Sequence, residues 1–282
     1  MGNTTRLKPV AAESPEPGEA FDLALLSDVG KTREQNEDYC GHFLEGSETA
    51  VIVVADGIGG YEGGQIASKM AVETTIAAYR DGPEAWGPSK RLYRALQRAN
   101  LEIHERALTV PELRRMGTTA TAVVISNGFL HAAHVGDCRL YLMRGRQIKQ
   151  MSRDHTWVGE RVRLGLMTAQ QARNHPDRSA LQRCIGHELI ASIDRVSFPL
   201  IQGDRILICS DGLYGELEDP EMEALSRGGS AEDISQTLIN TANARGTRDN
   251  LTVAFFRMLQ ATSHPQPRRW HHRLLGRFKT VG

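Results

Sequence analysis

The sequence is short of the features that assign a class at a glance. It has only four cysteines, Cys40, Cys138, Cys184 and Cys209, far apart and without a Cys-x-x-Cys pair. That spacing argues against a disulfide framework and a zinc knuckle, and it suits a reducing cytoplasm. Cys138 and Cys209 lie in or beside apolar runs and read as small buried hydrophobes. Excess charge is lacking too, with 34 Lys and Arg against 34 Asp and Glu. A broad basic surface for nucleic acid is thereby excluded. No run approaches the ~18 consecutive apolar residues of a transmembrane segment. The polar start Met1-Gly2-Asn3-Thr4-Thr5 lacks the apolar core of a signal peptide, and Gly2 by itself is a weak myristoylation signal. What remains is a chain of 282 residues, 40% hydrophobic and 24% charged. Those are ordinary globular proportions, at a length that supports a sizeable core.

Charge is neutral only as a sum. Residues 1–20, rich in Pro, Glu and Ala, read as a flexible arm. From residue 261 onward Arg268, Arg269, Arg273, Arg277 and Lys279 meet no acid, which leaves a mildly acidic body over 21–260 and a basic tail over 261–282. In that tail Trp270, Leu274 and Phe278 recur every four residues, as in an amphipathic helix docking on a partner or an anionic surface. Gly276 and a length of about three turns weigh toward a solvated tail instead.

Strand patterns are predicted over 21–26, 39–44, 50–55, 119–125, 129–135, 139–143, 196–200, 205–209 and 251–256. Asn127-Gly128, between two of them, is the strongest hairpin signal; Arg144-Gly145 and Gln202-Gly203-Asp204 are further turns. Helical spacing is carried by Leu92, Leu96, Ala99 and Ile103, by Ile66, Met70 and Thr74, and by Ile234, Leu238 and Ala242 after a start at Ser230. The segment 155–186 breaks this rhythm as a compact helical insertion, with a capping box at Thr168-Ala169-Gln170-Gln171. The class expected is α+β with largely antiparallel sheets.

Three apolar strands end in an aspartate beside a glycine: Val54-Ala55-Asp56-Gly57, Val135-Gly136-Asp137 and Cys209-Ser210-Asp211-Gly212. Asp249 and the cluster Asn36-Glu37-Asp38 stand just before strands. Each alone reads as a turn. Gathered at neighbouring strand ends, the carboxylates would repel one another by several kcal/mol unless cations held them. All-oxygen ligands favour Mg²⁺ or Mn²⁺, and Ca²⁺ less well, over zinc. Rival motifs fail: the run from Gly57 to Gly64 has Glu62 where a dinucleotide fingerprint needs glycine, and no Gly-Lys-Ser/Thr follows it. His187-Glu188 meets Ala191 where a metalloprotease needs its second histidine, and no Gly-x-Ser-x-Gly elbow occurs.

Arg33-Glu34-Gln35-Asn36-Glu37-Asp38, Asp56-Gly57-Ile58-Gly59-Gly60, Gly117-Thr118-Thr119, Val135-Gly136-Asp137-Cys138-Arg139, Ser210-Asp211-Gly212 and Asp249-Asn250-Leu251-Thr252 occur in this order. Together they resemble the motif set of the metal-dependent protein serine/threonine phosphatases, the PPM or type 2C family, in its compact bacterial form. The resemblance covers about residues 21–257. It implies two central antiparallel sheets sandwiched between helix layers (αββα), with a metal centre at one edge and 155–186 as a flap.

By the same resemblance Asp56 bridges two ions of Mn²⁺ or Mg²⁺, the Gly57 carbonyl completes one, and Asp211 and Asp249 hold the other. Glu37 and Asp38 act mostly through metal-bound water, and Asp137 with Asp211 matches a weaker third site. Arg33 matches the arginine that grips the substrate phosphate with its planar fork. Two ions sharing Asp56 would acidify a bridging water to hydroxide, which attacks phosphorus in line with no phosphoenzyme. Ile58 stands where many eukaryotic members carry a histidine that can protonate the leaving group, so a metal-bound water would take that step. His134 reads as a satisfied core histidine rather than a ligand, Thr118 and Thr119 as packing behind the site, and Arg153 and Arg183 as solvated charge rather than substrate contacts. The function expected is hydrolysis of phosphoserine and phosphothreonine in proteins, reversing a cognate Ser/Thr kinase. The alternatives are a catalytically silent phosphoprotein binder, against which retention of Asp56, Asp211, Asp249 and Arg33 counts, and a small-molecule phosphatase on the same fold.

Overall fold

The computed structural model describes residues 21–46, 49–59 and 62–260; the arm expected over 1–20, the basic tail over 261–282 and Gly60 lie outside it. In chain order the strands are β1 Phe21–Asp28, β2 Asp38–Glu45, β3 Thr49–Ile58, β4 Gly117–Thr118, β5 Ala120–Ser126, β6 Phe129–Val135, β7 Arg139–Arg144, β8 Gln147–Gln150, β9 Asp194–Pro199, β10 Arg205–Cys209 and β11 Leu251–Met258. The α-helices are α1 Gly63–Arg80, α2 Gly87–Thr109, α3 Trp157–Arg163, α4 Ala169–Arg173, α5 Asp211–Tyr214, α6 Asp219–Leu225 and α7 Ala231–Arg245.

Every strand pairing is antiparallel. One sheet runs β1-β11-β10-β7-β8; the other runs β2-β3-β5-β6-β9, with β4 attached to β3. Period-2 alternation stacks four layers from these two sheets. On β3, Ala50, Ile52 and Val54 join Ile206, Ile208, Ala254 and Phe256 of the other sheet in the central core. The alternate residues Val51, Val53 and Ala55 pack on Leu92, Leu96 and Ile103 of α2 and on Ala67 and Ala71 of α1. Beyond the second sheet, Leu207, Val253 and Phe255 pack on Ile234, Leu238 and Ala242 of α7. Each such side chain, taken fully from water, contributes about 1.5–3 kcal/mol before entropy is subtracted. The layering is the αββα sandwich expected.

Local signals hold where they are strong. Asn127 (φ 50°) and Gly128 (φ 74°) both take the left-handed region that a tight β5–β6 hairpin needs. Ser230 with Asp233, and Thr168 with Gln171, form reciprocal capping boxes at the starts of α7 and α4. The face of α1 differs from expectation. Its buried stripe is Ala67, Ser68, Ala71, Val72, Thr75 and Tyr79, while Ile66, Met70 and Thr74 sit beside it only partly buried. Small side chains let the helix axis approach the sheet, and the larger ones flank the contact. Among the described residues no helix is long and apolar enough to cross a membrane.

Candidate metal centre

The inner face of the sandwich is apolar along most of its length and turns polar at one end. Along β1 the inward series runs Leu23, Leu25, Ser27; along β11, Phe256, Ala254, Thr252; along β10, Ile206, Ile208, then Ser210. From the other sheet Cys40 is followed by Asp38 and Val54 by Asp56. Asp38 and Asp56 are direct cross-strand partners. Like charges set opposite each other destabilise a strand pair, so this pairing has no purely structural rationale.

Hydrogen bonds fix the polar end. The Ser210 hydroxyl donates to the buried Asp38 carboxylate at 2.6 Å and accepts from the Thr252 amide at 3.0 Å. Asn250 donates its amide group to the carbonyls of Val29 and Gln35 and accepts from the Glu37 amide, pinning the 29–37 loop to β11. The Asp56 backbone is held from both sides: its amide donates to the Thr119 hydroxyl at 3.0 Å, and its carbonyl accepts from the Thr118 hydroxyl at 2.8 Å. Gly57 permits the closest approach. A Cβ there would stand 2.2 Å from the Gly64 carbonyl oxygen and 2.6 Å from that of Glu37, so the start of α1 and the 29–37 loop can meet only over a glycine.

The acids perturb one another. Burial first, then the charges of Asp38, Asp211, Asp137 and Asp249, pushes the Asp56 carboxyl well above the ordinary range. Asp38 is pushed up to about 7 by burial, against the hydrogen bonds of Ser210 and Thr252 and with the charges of Asp211 and Asp249. Asp211 reaches about 6 through burial and the charge of Asp249, opposed by Arg178 and Arg33. Asp137, buried in the turn between β6 and β7, is raised by burial and then by Asp211 and Asp154, with Arg139 opposing. Burial likewise raises Glu37, with Arg33 pulling it back.

The sequence-predicted residues are therefore brought to one edge, though not closed into a cage. Among the described residues no three His, Cys, Asp or Glu side chains converge tightly enough to hold an ion as they stand. Arg33 donates to Asp249 Oδ2 at 2.9 Å and to the Arg248 carbonyl at 3.2 Å, so it is paired with one of the expected ligands. The donor set still fits hard divalent cations: it is all oxygen, crowded and acidic, with few opposing cations.

A cleft of about 1320 Å³ opens beside Asp211 and Asp249 and is walled by the 155–186 insertion, including Arg163, Arg178 and Arg183. That exceeds the several hundred Å³ that suit a small ligand. His134 is a core histidine as expected, with Nδ1 on the Thr121 hydroxyl at 2.8 Å and Nε2 on the Arg153 carbonyl at 2.8 Å. Burial and the neighbouring His155 lower it to about 4. Arg153 and Arg183 both line the cleft, and Arg183 pairs with Asp194 at 3.2 Å. Ser210, Asn250, Thr118 and Thr119 hold the site through hydrogen bonds, roles that no sequence motif assigns to them. Ser210 continues the inward series of β10 with a hydroxyl, a signal the sequence carries; Thr118, Thr119 and Asn250 precede their apolar strands and carry none.

The family described as Protein phosphatase 2C matches residues 30–255. The Serine/threonine phosphatase stp of Listeria monocytogenes is 34% identical over 236 residues, covering 80% of this chain and 92% of that protein. Among solved structures, the S. agalactiae serine/threonine phosphatase superposes with a TM-score of 0.79 at 30% identity, covering 85% of this chain and 100% of that one. The catalytic domain of the serine threonine protein phosphatase PstP, in complex with two manganese ions, gives 0.75 at 29% identity, covering 85% and 99%. Ordered motifs, sandwich topology and a full-length match to its relatives agree, and this chain belongs to the protein phosphatase 2C family of serine/threonine phosphatases.

Proposed function

We propose that the chain hydrolyses phosphoserine and phosphothreonine in proteins at the carboxylate edge of the sandwich, using Mn²⁺ or Mg²⁺. The observation that carries this reading is the convergence of Asp38, Asp56, Asp137, Asp211 and Asp249, each raising another's pKa or being raised by it. In this reading Asp56, the Gly57 carbonyl, Asp211 and Asp249 would hold the ions directly, with Asp56 shared between them, Glu37 and Asp38 would support them through water, and Asp137 with Asp211 would hold a weaker third ion. When bound, such ions supply Lewis acidity, activating water at neutral pH and drawing charge from the phosphoryl oxygens.

The rest falls to the chain. Thr118 and Thr119 hold Asp56 in register by its backbone, and Ser210 orients Asp38. Arg33 leaves Asp249 to take the substrate phosphate with its planar fork. The exchange costs little, because an ion pair this exposed, 48% and 40%, contributes about 0–1 kcal/mol. Ile58 carries no ionisable group, so the leaving serine or threonine oxygen takes its proton from water. The insertion 155–186 is the flap and reads the protein around the phosphoresidue, an assignment supported by its place along the cleft. The reaction class that supplies such substrates is Ser/Thr phosphorylation by a kinase.

One experiment tests substrate class and flap together. Turnover of a phosphothreonine peptide should exceed that of sugar phosphates. Exchange of 155–186 should alter discrimination among phosphoproteins more than the rate on a small aryl phosphate. Preference for sugar phosphates would favour the small-molecule reading; equal losses on both substrate kinds would make the insertion structural.

A further inference from the structure

His155 lies at the root of the 155–186 insertion, is 6% exposed, and meets the turn that carries Asp137 through two hydrogen bonds. Its backbone amide donates to the Gly136 carbonyl at 2.8 Å, and its ring Nδ1 accepts from the Gly136 amide at 3.1 Å. A nitrogen that accepts from an amide carries no proton, so the ring proton sits on Nε2. Nε2 in turn lies 3.3 Å from Asp194 Oδ2, and Asp194 Oδ1 accepts from Arg183 at 3.2 Å. The carboxylate at the start of β9 thus selects the tautomer that the Gly136 contact requires. Behind the ring, His134 packs at 4.9 Å between centroids.

The turn has little freedom of its own. Gly136 has φ +102°, and a Cβ there would stand 2.5 Å from the Thr119 Cβ. Thr119 is the residue whose hydroxyl accepts from the Asp56 amide. Gly136 is therefore clamped between Thr119, which holds Asp56, and His155, which holds the insertion. Asp137 follows it directly and is within electrostatic reach of Asp211.

We propose that His155 is a positioning residue: oriented by Asp194, its ring fixes the Gly136-Asp137 turn and so sets the Asp137 carboxylate against Asp211 for the weakest of the metal sites. The inference rests on the metal-centre reading and goes beyond it, since neither His155 nor Asp194 is among the residues that reading assigns to the ions or to the phosphate. Residues that orient metal ligands from behind typically change metal affinity by about 10–100-fold when lost.

The test is calorimetric titration of the full chain with Mn²⁺, alongside thermal melts. The side-chain amide of Asn occupies the place of Nδ1 and that of Gln the place of Nε2, so His155→Asn keeps the Gly136 contact and His155→Gln keeps only the one to Asp194. His155→Gln should weaken the weakest Mn²⁺ site by about tenfold while sparing the tighter ones; Asp194→Ala, which keeps the ring but loses its orienting partner, should weaken it by about threefold, and His155→Asn should leave it within about twofold of the wild type. An unchanged weak site in His155→Gln, or equal losses in all three variants in step with their melting temperatures, would overturn the proposal. Should His155→Gln not fold, Asp194→Ala decides, and an unaltered weak site there overturns it. Absence of any Mn²⁺ binding by the wild-type protein would overturn the metal centre itself, and this inference with it.

Discussion

Replacing Asp56 with alanine should lower phosphatase turnover by about four orders of magnitude, or ~5 kcal/mol of transition-state stabilisation, without unfolding the protein. Asp56 stands in the middle of the acidic edge, where Asp38, Asp211, Asp137 and Asp249 all raise its pKa after burial itself. Its ionised form is therefore a liability to the metal-free fold, and removing it relieves repulsion. The expected signature is an enzyme without activity whose melting temperature in EDTA equals or exceeds that of the wild type. Asp211→Ala should lose turnover in the same way, since Asp211 shares the edge and the repulsion. Near-normal turnover of Asp56→Ala, or a collapse in its thermal stability, would mean that the carboxylate serves the fold and not the chemistry.

Arg33→Ala should reduce kcat/KM about a hundredfold, ~2.7 kcal/mol, on protein and small phosphosubstrates alike. Its guanidinium now rests on Asp249 and on the Arg248 carbonyl, near the surface. Removing it frees Asp249, so Mn²⁺ affinity should hold or rise while the inhibition constant for inorganic phosphate weakens. Arg33→Lys should recover only part of the loss, because a point charge cannot reproduce the two parallel donors of the fork. An unchanged phosphate inhibition constant in Arg33→Ala would remove Arg33 from substrate binding and leave it as a surface partner of Asp249.

Much of this architecture can be read from alternation. The inward series of β3, β10 and β11 are continuous apolar runs, and each closes on a polar residue at the same end of the sandwich. That periodicity marks both the core and the site, but the Asp-Gly pairs are not the turns they read as: Asp56-Gly57 continues β3, and Asp211-Gly212 opens α5. Elements set by tertiary contact are harder to see. β4 is two residues long and exists because Gly117 and Thr118 pair with Ile58 and Gly57. β8, Gln147–Gln150, is short and polar and pairs only with β7 at the sheet edge. The short helices α3, α5 and α6 span seven, four and seven residues, too few for a 3.6-residue period to declare itself. The packing face of α1 lies one position along from the predicted Ile66-Met70-Thr74 stripe because close approach to a sheet selects Ala and Ser, which carry little hydrophobic signal. The Arg33–Asp249 pair joins residues 216 positions apart, so no local pattern announces it.

If the carboxylate edge works as a divalent-metal hydrolase, phosphate release must depend on the metal. Release of phosphate from a phosphothreonine peptide, followed first in EDTA and then after Mn²⁺ is added in excess, tests it most directly. Rates should sit at background in EDTA and recover fully with Mn²⁺, with Mg²⁺ also restoring turnover. Undiminished phosphate release by thoroughly chelated enzyme would contradict that dependence.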